Sequence, residues 1–279
     1  MIKTIAYFPE QCALNSQPVM AAVLNSLKRA GICVEKNTLD ADAVIIWSVL
    51  FAGRMSKNQQ VYEHYRQQNK PVIVIDIGAL YRGETWKIAL NNITAAGYYG
   101  HQEHLDSDRP RKLGISLALN FSRNPNIVVA AQHKSSLQVN DINMEDWIVK
   151  QIEQLRTVTD RPIIVRPHPR CPLNMFSHDQ SVTLEEPRKI ANTYDSYNLV
   201  FDCHAMVNYN SGPGIQAALA GTRPIVDVTS LAHPVGIDIQ NIDQPYTIDR
   251  DQWLIEICHT EYTLKEIEQG TWLQRLSLV

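Results

Sequence analysis

Short apolar runs alternate with amphipathic segments along the first part of the chain. We predict strands at the apolar runs and helices at the amphipathic segments 18–31 and 58–68. In the first helix Val23 and Leu27 share one face, and Gly31 is a typical helix stop. The predicted strands lie at residues 2–8, 32–35, 43–47, 71–76 and 93–99. This order of elements predicts a parallel sheet with helices on both faces.

The same alternation returns in the second part of the chain. Predicted strands lie at 126–131, 162–165, 205–209 and 224–228, predicted helices at 144–156 and 189–197, and the tail reads as one helix. We therefore predict an α/β protein of two Rossmann-like domains, whose parallel sheets face each other across a cleft. The predicted divisions are 1–124, 125–262 and a tail at 263–279, with the junction near Pro125. Ligands of open α/β sheets bind at the carboxyl ends of the strands, so the cleft is the predicted site.

Composition narrows the class of protein. The chain has 279 residues, of which 44% are hydrophobic and 20% are charged, as in a globular protein of one or two domains. The net charge of -3 argues against a global basic field for nucleic acid, although it leaves a local basic groove open. The five cysteines are scattered without a CxxC pair, and no apolar run approaches the roughly 20 residues of a membrane span. The start is too quickly polar for a signal peptide, so we expect a cytoplasmic protein with reduced thiols.

A glycine turn after a strand of the second half is the strongest local signal. Ser211, Gly212, Pro213 and Gly214 open a predicted helix, whose first backbone N–H groups and positive dipole end favour a phosphate. Gln216, in the first helical turn, adds a possible side-chain contact. The alternative is an ordinary helix start with a serine cap.

A cationic segment follows the strand 162–165. Arg166 and Arg170 flank His168, and two prolines keep this segment extended. Guanidinium groups bind phosphate bidentately, so the segment predicts an anion clamp, in which His168 donates a hydrogen bond or acts as a general acid. The alternative is a surface turn with solvated arginines. Together, the clamp and the glycine turn predict a ligand with a diphosphate.

Two further loops follow predicted strands of the second half. Gln132, His133 and Lys134 come after the strand 126–131, and His233 comes after the last strong strand. The topology places both loops at the edge of the sheet where the ligand is expected, so we predict that they contact it. The alternative for each is an ordinary polar loop.

A carboxylate ends the clearest strand of the first half. Asp76 has the position expected of a general base that acts on a hydroxyl, although a turn or cap aspartate is an equal alternative. Asp202, Cys203 and His204 lack a partner motif with ligand spacing, so no metal site is predicted.

The runs 165–170 and 209–224 carry a family resemblance. They resemble GT-B glycosyltransferases, especially the small phage-encoded enzymes and the capsule-type Kdo transferases, over residues 126–236. The resemblance implies that the C-terminal domain binds a nucleotide sugar and that the N-terminal domain recognises the acceptor. Many members hold the donor ribose with a glutamate in the helix that follows the glycine turn. Here that helix offers Gln216 and no acidic residue, which leaves the mode of ribose recognition open.

The resemblance assigns the polar residues of the second half to the donor. The implied donor-binding set is Gln132, His133, Lys134, Arg166, His168, Arg170, Ser211, Gly212, Pro213, Gly214, Gln216 and His233. We predict a UDP-linked donor. We predict no metal and no separate cofactor, because cationic side chains serve the leaving phosphate. Asp76 and His168 are the predicted catalytic residues.

The phage members of this fold modify 5-hydroxymethyl pyrimidines, so the resemblance also implies duplex DNA as acceptor, in the cytoplasm of a host. Arg54, Arg82 and Lys87 are the predicted acceptor contacts, in a basic group that includes Arg109; the alternative is a solvated face. Three other functions stay open. They are a capsule-type transferase, a sugar-nucleotide epimerase or hydrolase, and a non-catalytic protein that binds a nucleotide or DNA.

Overall fold

The computed structural model describes residues 2–103, 105–119, 124–174, 180–186 and 202–279. The chain forms two compact units, one made of Met1–Arg109 with Glu256–Val279 and the other of Pro110–Ile255. The first part of the chain contains β1 (Thr4–Tyr7), α1 (Gln17–Arg29), β2 (Cys33–Lys36), β3 (Ala43–Trp47), α2 (Asn58–Gln67), β4 (Val72–Ile77), β5 (Thr85–Leu90) and α3 (Arg109–Leu113).

The middle of the chain contains the elements of the second unit. These are β6 (Ile127–Ala130), α4 (Met144–Arg156), β7 (Ile163–Arg166), β8 (Val182–Leu184), β9 (Ala205–Asn208), α5 (Gly212–Leu219), β10 (Arg223–Val226) and α6 (Asp251–Cys258). The chain then returns to the first unit with β11 (Glu261–Thr263), α7 (Leu264–Gln269) and α8 (Thr271–Arg275). Short 3-10 helices lie at Pro9–Gln11, Leu14–Ser16, Gly53–Met55, Leu137–Val139, His233–Val235 and Ile239–Asn241.

The sheet of the first unit has the strand order β2-β1-β3-β4-β5-β11. Strands β1 to β4 are parallel, whereas β5 pairs with β4 and with β11 in antiparallel fashion. One face carries Ile5, Ile45 and Ile73, which pack in a core with Val23 of α1 and Trp272 of α8. Burial of these apolar side chains stabilises the unit and fixes the register of the strands.

The sheet of the second unit is parallel throughout the described residues, with the order β10-β9-β6-β7-β8. Its strands are short and apolar, as expected of strands covered on both faces. Helix α4 begins at Asn143, whose side-chain oxygen accepts from the backbone N–H groups of Glu145 and Asp146. Because these strands are parallel, their carboxyl ends share one edge, where the loops after β6, β7, β9 and β10 begin.

Most predicted strands and helices are confirmed, and two are wrong. Residues 93–97 form turns, and Tyr98 makes only an isolated bridge with Leu90, so no strand forms at 93–99. The side-chain oxygen of Asn92 accepts from the backbone N–H groups of Ile93 and Thr94, which favours the turn. The tail contains β11 and two short helices, divided at Gly270, whose φ of 83° ends α7. The predicted helix 189–197 lies outside the described residues.

The division of the chain differs from the predicted one. The boundary falls after Arg109, and residues 256–279 belong to the first unit. The return is held by pairing of β11 with β5 and by burial of Trp272 and Leu273 in the first core. Arg109 also holds this returning segment in place, because its guanidinium lies 2.6 Å from a carboxylate oxygen of Glu266. No helix among the described residues has the length and apolar character needed to cross a membrane.

Candidate functional site

The structure brings most of the predicted ligand contacts to the carboxyl edge of the second sheet. Gln132 and His133 follow β6, His168 follows β7, and Ser211 follows β9 and opens α5. The rings of His133 and His168 meet edge to face, with their centroids 5.0 Å apart. Side chains from separate loops therefore converge, as expected of a ligand site on a parallel sheet.

The two histidines are held in the same tautomer. The Nδ1 atom of His133 accepts from the backbone N–H of Ser135 at 3.1 Å, and that of His168 accepts from the N–H of Arg170 at 3.2 Å. Since Nδ1 is the acceptor in each neutral ring, the proton lies on Nε2. Burial lowers the pKa of His133, and the nearby charge of Arg170 lowers it further. His133 is thus a neutral hydrogen-bond donor at neutral pH.

Arg166 has a protein partner, which the sequence prediction did not include. Its side chain is buried at the end of β7, and its Nη2 lies 3.0 Å from each carboxylate oxygen of Glu185. Glu185 directly follows the edge strand β8, and its backbone N–H donates to the carbonyl of Val165. The two arginines of the predicted clamp therefore differ in their surroundings. Arg170 is exposed, as is Lys134, whereas Arg166 is engaged by a carboxylate of its own unit.

The glycine turn opens α5 without a serine cap. Ser211 is the N-cap residue, but its side chain makes no capping hydrogen bond. Instead its backbone N–H and its hydroxyl both bond to Oδ1 of Asn208, at 2.9 and 3.2 Å. Asn208 is fully buried and also donates to the carbonyl of Ala130, which ties β9 to β6. The first turn of α5 therefore keeps the electropositive character that favours an anion.

Gly214 has a packing role that the sequence analysis did not predict. A Cβ atom there would lie 2.8 Å from Cγ1 of Val226, so glycine lets α5 pack directly on β10. Pro213 occupies the start of α5, where its missing N–H costs nothing. Gln216 is half-buried in α5, and His233 is exposed on the 3-10 helix that follows β10.

An amide network, missed by the sequence analysis apart from Gln132, joins three of these loops. The Nε2 atom of Gln132 donates to Gln138 and to Asn210, each at 3.1 Å. The Nδ2 atom of Asn210 donates to the hydroxyl of Thr229, which donates to the Asp227 carboxylate at 2.6 Å. Polar residues directly after each strand were the available signal, but their partners depend on the strand order.

In the first unit, Asp76 lies near the carboxyl end of β4. Its Oδ1 accepts from the backbone N–H of Ile77 at 2.7 Å, and its Oδ2 accepts from the hydroxyl of Ser48 at 3.0 Å. Burial raises the pKa of Asp76, and these hydrogen bonds together with the charges of Lys87 and Arg82 oppose the rise. Asp76 is therefore a partly buried carboxylate whose charge depends on its neighbours.

Lys87 does not have the surface position that was predicted for an acceptor contact. It lies within β5, only 6% exposed, as the register partner of Asp76. Burial lowers its pKa, and the carboxylates of Glu261 and Asp76 oppose that shift. This burial argues against a contact of Lys87 with the phosphate backbone of a duplex.

Glu261 is a buried carboxylate that the sequence analysis missed. It lies on β11 and accepts from the backbone N–H groups of Ala79 and Leu80, at 2.6 and 3.1 Å, and from the hydroxyl of Thr85 at 2.7 Å. A Cβ on Gly78 would overlap the Glu261 carboxylate, so glycine is required there. Glu261 thus anchors the loop that follows Asp76.

The remaining basic residues of the predicted acceptor surface differ in their surroundings. Arg54 is half-exposed and lies 3.8 Å from Glu10, whereas Arg109 is buried and structural. Arg82 is exposed beside β5, and its charge reaches Asp76. Within the described ranges, no three His, Cys, Asp or Glu side chains come together in a way that could hold a metal ion.

Comparisons with known proteins support the fold. No protein-family model matches the chain, and no curated protein matches it. The KpsC β-Kdo 2,4-transferase of Thermosulfurimonas dismutans is 12% identical, with a TM-score of 0.53 over 93% of this chain and 90% of that chain. The KpsC β-Kdo 2,7-transferase of the same organism is 11% identical, with a TM-score of 0.50 over 99% of both chains. The chain therefore has an α/β fold of GT-B type with two Rossmann-like domains, as its sequence predicted.

Proposed function

We propose that the protein is a glycosyltransferase that moves a sugar from a nucleotide sugar to a hydroxyl acceptor. The observation that carries this proposal is the convergence of His133, His168, Arg170 and the start of α5 at one edge of the second sheet. The fold is shared with β-Kdo transferases, which supports sugar transfer as the reaction class.

In this proposal the second unit binds the donor through its phosphate. Arg170 and Lys134 supply positive charge, and His133 and His168 donate from Nε2. The uncapped first turn of α5 adds backbone N–H groups. As the sugar leaves, negative charge grows on the phosphate, and donors fixed in place stabilise it without reorganising. A UDP-linked donor is our proposal for the nucleotide. Arg166 is ion-paired with Glu185. In this proposal Arg166 binds the phosphate when the phosphate replaces the Glu185 carboxylate.

The first unit supplies the acceptor chemistry. Asp76 acts as the general base that removes the proton of the acceptor hydroxyl when the reaction inverts configuration. Partial burial suits this role, because it raises the pKa of a carboxylate and makes it a stronger base. Retention of configuration needs no base at that position, so the anomeric configuration of the product tests this role directly.

We favour a saccharide hydroxyl as acceptor, and a sugar of the Kdo class as one candidate for the transferred group. The names of the structural neighbours provide the sugar candidate. Lys87 and Arg109 are buried, which removes two of the cations on which a DNA acceptor rested. Duplex DNA with 5-hydroxymethyl pyrimidine is retained as the second acceptor, since Arg54 and Arg82 stay exposed.

The test incubates the purified full chain with UDP-, GDP- and CMP-linked sugars, with saccharide acceptors or hydroxymethylated duplex DNA, and measures product masses. We expect an acceptor that gains the mass of one sugar residue, and loss of that product in D76N. The exposed Asp40 provides the matched control, because D40N removes a carboxylate of the same unit outside the site.

Other outcomes separate the alternatives. A donor that is consumed without transfer to any acceptor indicates an epimerase or hydrolase. A nucleotide that binds but is never consumed indicates a non-catalytic binding protein. Either result overturns the transferase proposal.

A further inference from the structure

A row of polar side chains crosses three neighbouring strands of the first sheet. The strand register places Asp76 of β4 opposite Lys87 of β5, and Lys87 opposite Glu261 of β11. Residues paired in this way lie on the same face of a sheet, with neighbouring Cβ atoms about 5 Å apart. Ser48, directly after β3, extends the row through its hydrogen bond to Asp76. The register thus places a lysine between two acidic residues on one face of the sheet.

We propose that Lys87 is a positioning residue that keeps the Asp76 carboxylate ionised and aligned for proton transfer. This inference rests on the proposed function, in which Asp76 is the base. It adds a residue that touches no reacting atom and acts only through Asp76.

The two carboxylates of the row have different surroundings. Glu261 is fully buried and committed to three donors, namely two backbone N–H groups and the hydroxyl of Thr85. Asp76 has one donor for each oxygen and is less buried. Glu261 is therefore fixed as an anchor for the loop at residues 79–80, whereas Asp76 keeps lone pairs for an incoming proton.

Lys87 acts on Asp76 through its charge and not through a tight ion pair. Within the described residues no carboxylate forms a direct ion pair with its ammonium. The surroundings screen poorly because Lys87 is buried, so a charge on the neighbouring strand still has a strong effect. Removal of that charge would leave the partly buried Asp76 with Ser48, the Ile77 N–H and Arg82 to stabilise its ionised form.

Tyr99 is a further titratable group whose pKa responds to the carboxylates of this row. Its hydroxyl is buried and has no hydrogen-bond partner among the described residues. Burial raises its pKa, and the negative charges of Glu261 and Asp76 raise it further, so Tyr99 stays neutral at every pH used for an assay. The charged groups that act on Asp76 are Lys87 and Arg82, and of these Lys87 is its direct register partner.

The test measures the ionisation of Asp76 without any substrate. In protein labelled with ¹³C at the aspartate carboxyl carbon, the Asp76 signal is assigned by its absence in D76N and followed from acid to neutral pH. We expect the titration midpoint of Asp76 to move to higher pH in K87M and to stay close to that of the unchanged protein in K87R. K265M, on the exposed face of α7, is the matched control and should leave the midpoint in place.

The rate profile gives the second readout. In K87M the acid side of the pH profile of kcat should move to higher pH. The size of this move should equal the change in the titration midpoint of Asp76. A move of one pH unit lowers kcat on that side about tenfold, because the ionised fraction of the base falls by that factor. K87R should restore the original profile. Thermal unfolding checks that each variant is folded, and K87Q replaces K87M if the latter does not fold.

The two proposals fail in different ways. An Asp76 midpoint that is the same in K87M and in the unchanged protein overturns the role of Lys87, whatever the enzyme transfers. A higher midpoint in a protein that transfers no sugar overturns the proposed function and leaves the coupling of Lys87 to Asp76 in place.

Discussion

Arg166 and Glu185 form a bidentate contact at the edge of the second sheet, with one guanidinium nitrogen 3.0 Å from each carboxylate oxygen. The arginine is buried, whereas about half of the glutamate side chain is exposed. A phosphate that approaches Arg166 must therefore compete with a carboxylate of the same charge sign.

This competition predicts opposite effects of the two residues on nucleotide binding. R166A should weaken binding of a nucleoside diphosphate by about 1.5–3 kcal/mol, the scale of a lost charge-assisted hydrogen bond. E185Q should strengthen it by about 0.5–1 kcal/mol, because a half-exposed ion pair is weak and its loss removes the carboxylate that competes with the phosphate. Calorimetric titration measures both.

E186Q is the control for the loss of a negative charge, since Glu186 is exposed beside Glu185. Weaker binding in E185Q would show that Arg166 acts only as part of the intact pair. Unchanged binding in R166A would remove Arg166 from the donor site.

The lowered pKa of His133 predicts that the stability of the protein depends on pH. Its pKa is lowered in the folded state by burial, so below the ordinary value of 6.5 the unfolded chain binds a proton that the folded chain excludes. The contribution of His133 to the free energy of unfolding is therefore fully present above pH 6.5 and is lost as the pH falls through the lowered pKa. The expected slope for one proton is at most about 1.4 kcal/mol per pH unit.

Chemical unfolding at several pH values should show this slope reduced in H133N. An asparagine oxygen there can accept from the N–H of Ser135, as Nδ1 does, but it does not titrate. H101N, at an exposed histidine, should leave the slope unchanged. Equal slopes in H133N and the unchanged protein would assign the dependence to other groups.

Gly78 predicts a steric requirement close to Asp76. In G78A the new methyl group would lie 2.5 Å from the carbonyl oxygen of Thr85 and would overlap the Glu261 carboxylate. We expect a loss of about 1–3 kcal/mol or more in the free energy of unfolding, because backbone and a fully bonded carboxylate must move.

Gly31 gives the matched comparison for this variant. Its φ of 74° disfavours alanine, but its surroundings are open. G31A should therefore cost only the backbone term of about 1 kcal/mol. If G78A is no less stable than G31A in urea unfolding, the contact with Glu261 is not a constraint on this loop.

Arg109, which was grouped with surface cations in the sequence prediction, should have a large effect on stability when it is substituted. Its guanidinium donates to the carbonyls of Cys258 and Glu261 and to the carboxylate of Glu266. R109A leaves these acceptors without their cation, so we expect a loss of about 3–5 kcal/mol in the free energy of unfolding. R54A, which removes an exposed arginine, should change it by less than about 0.5 kcal/mol. A loss in R109A as small as that in R54A would show that the return of the chain to the first unit does not depend on this arginine.

Local signals were sufficient for much of the fold. Apolar runs such as those of β3, β4 and β6 are too short for helices, and α4 has the predicted bounds Met144–Arg156. The turn at Ser211 was also visible, because a strand, two glycines and an apolar helix follow one another directly. Such features are set by neighbours in sequence, so the sequence alone determines them.

β5 and β11 were not recognised as strands. Lys87 interrupts the apolar pattern of β5, and β11 has only three residues, so neither shows a clear periodicity. Both become strands because each finds a partner edge in the folded sheet. The assignment of residues 256–279 to the first unit has the same cause, since pairing of β11 with β5 draws the end of the chain back into that unit.

The sequence by itself determined the α/β class, the order of most strands and helices, and the loops that carry the candidate donor contacts. Only the tertiary structure decided which charged side chains meet a partner inside the protein. Arg166 meets Glu185, Lys87 lies between Asp76 and Glu261, and Glu261 holds a backbone N–H that is 182 positions away in sequence. Such partners are chosen by strand order and register, which depend on the packing of the whole sheet, and a carboxylate or a guanidinium takes its role from the partner that it meets.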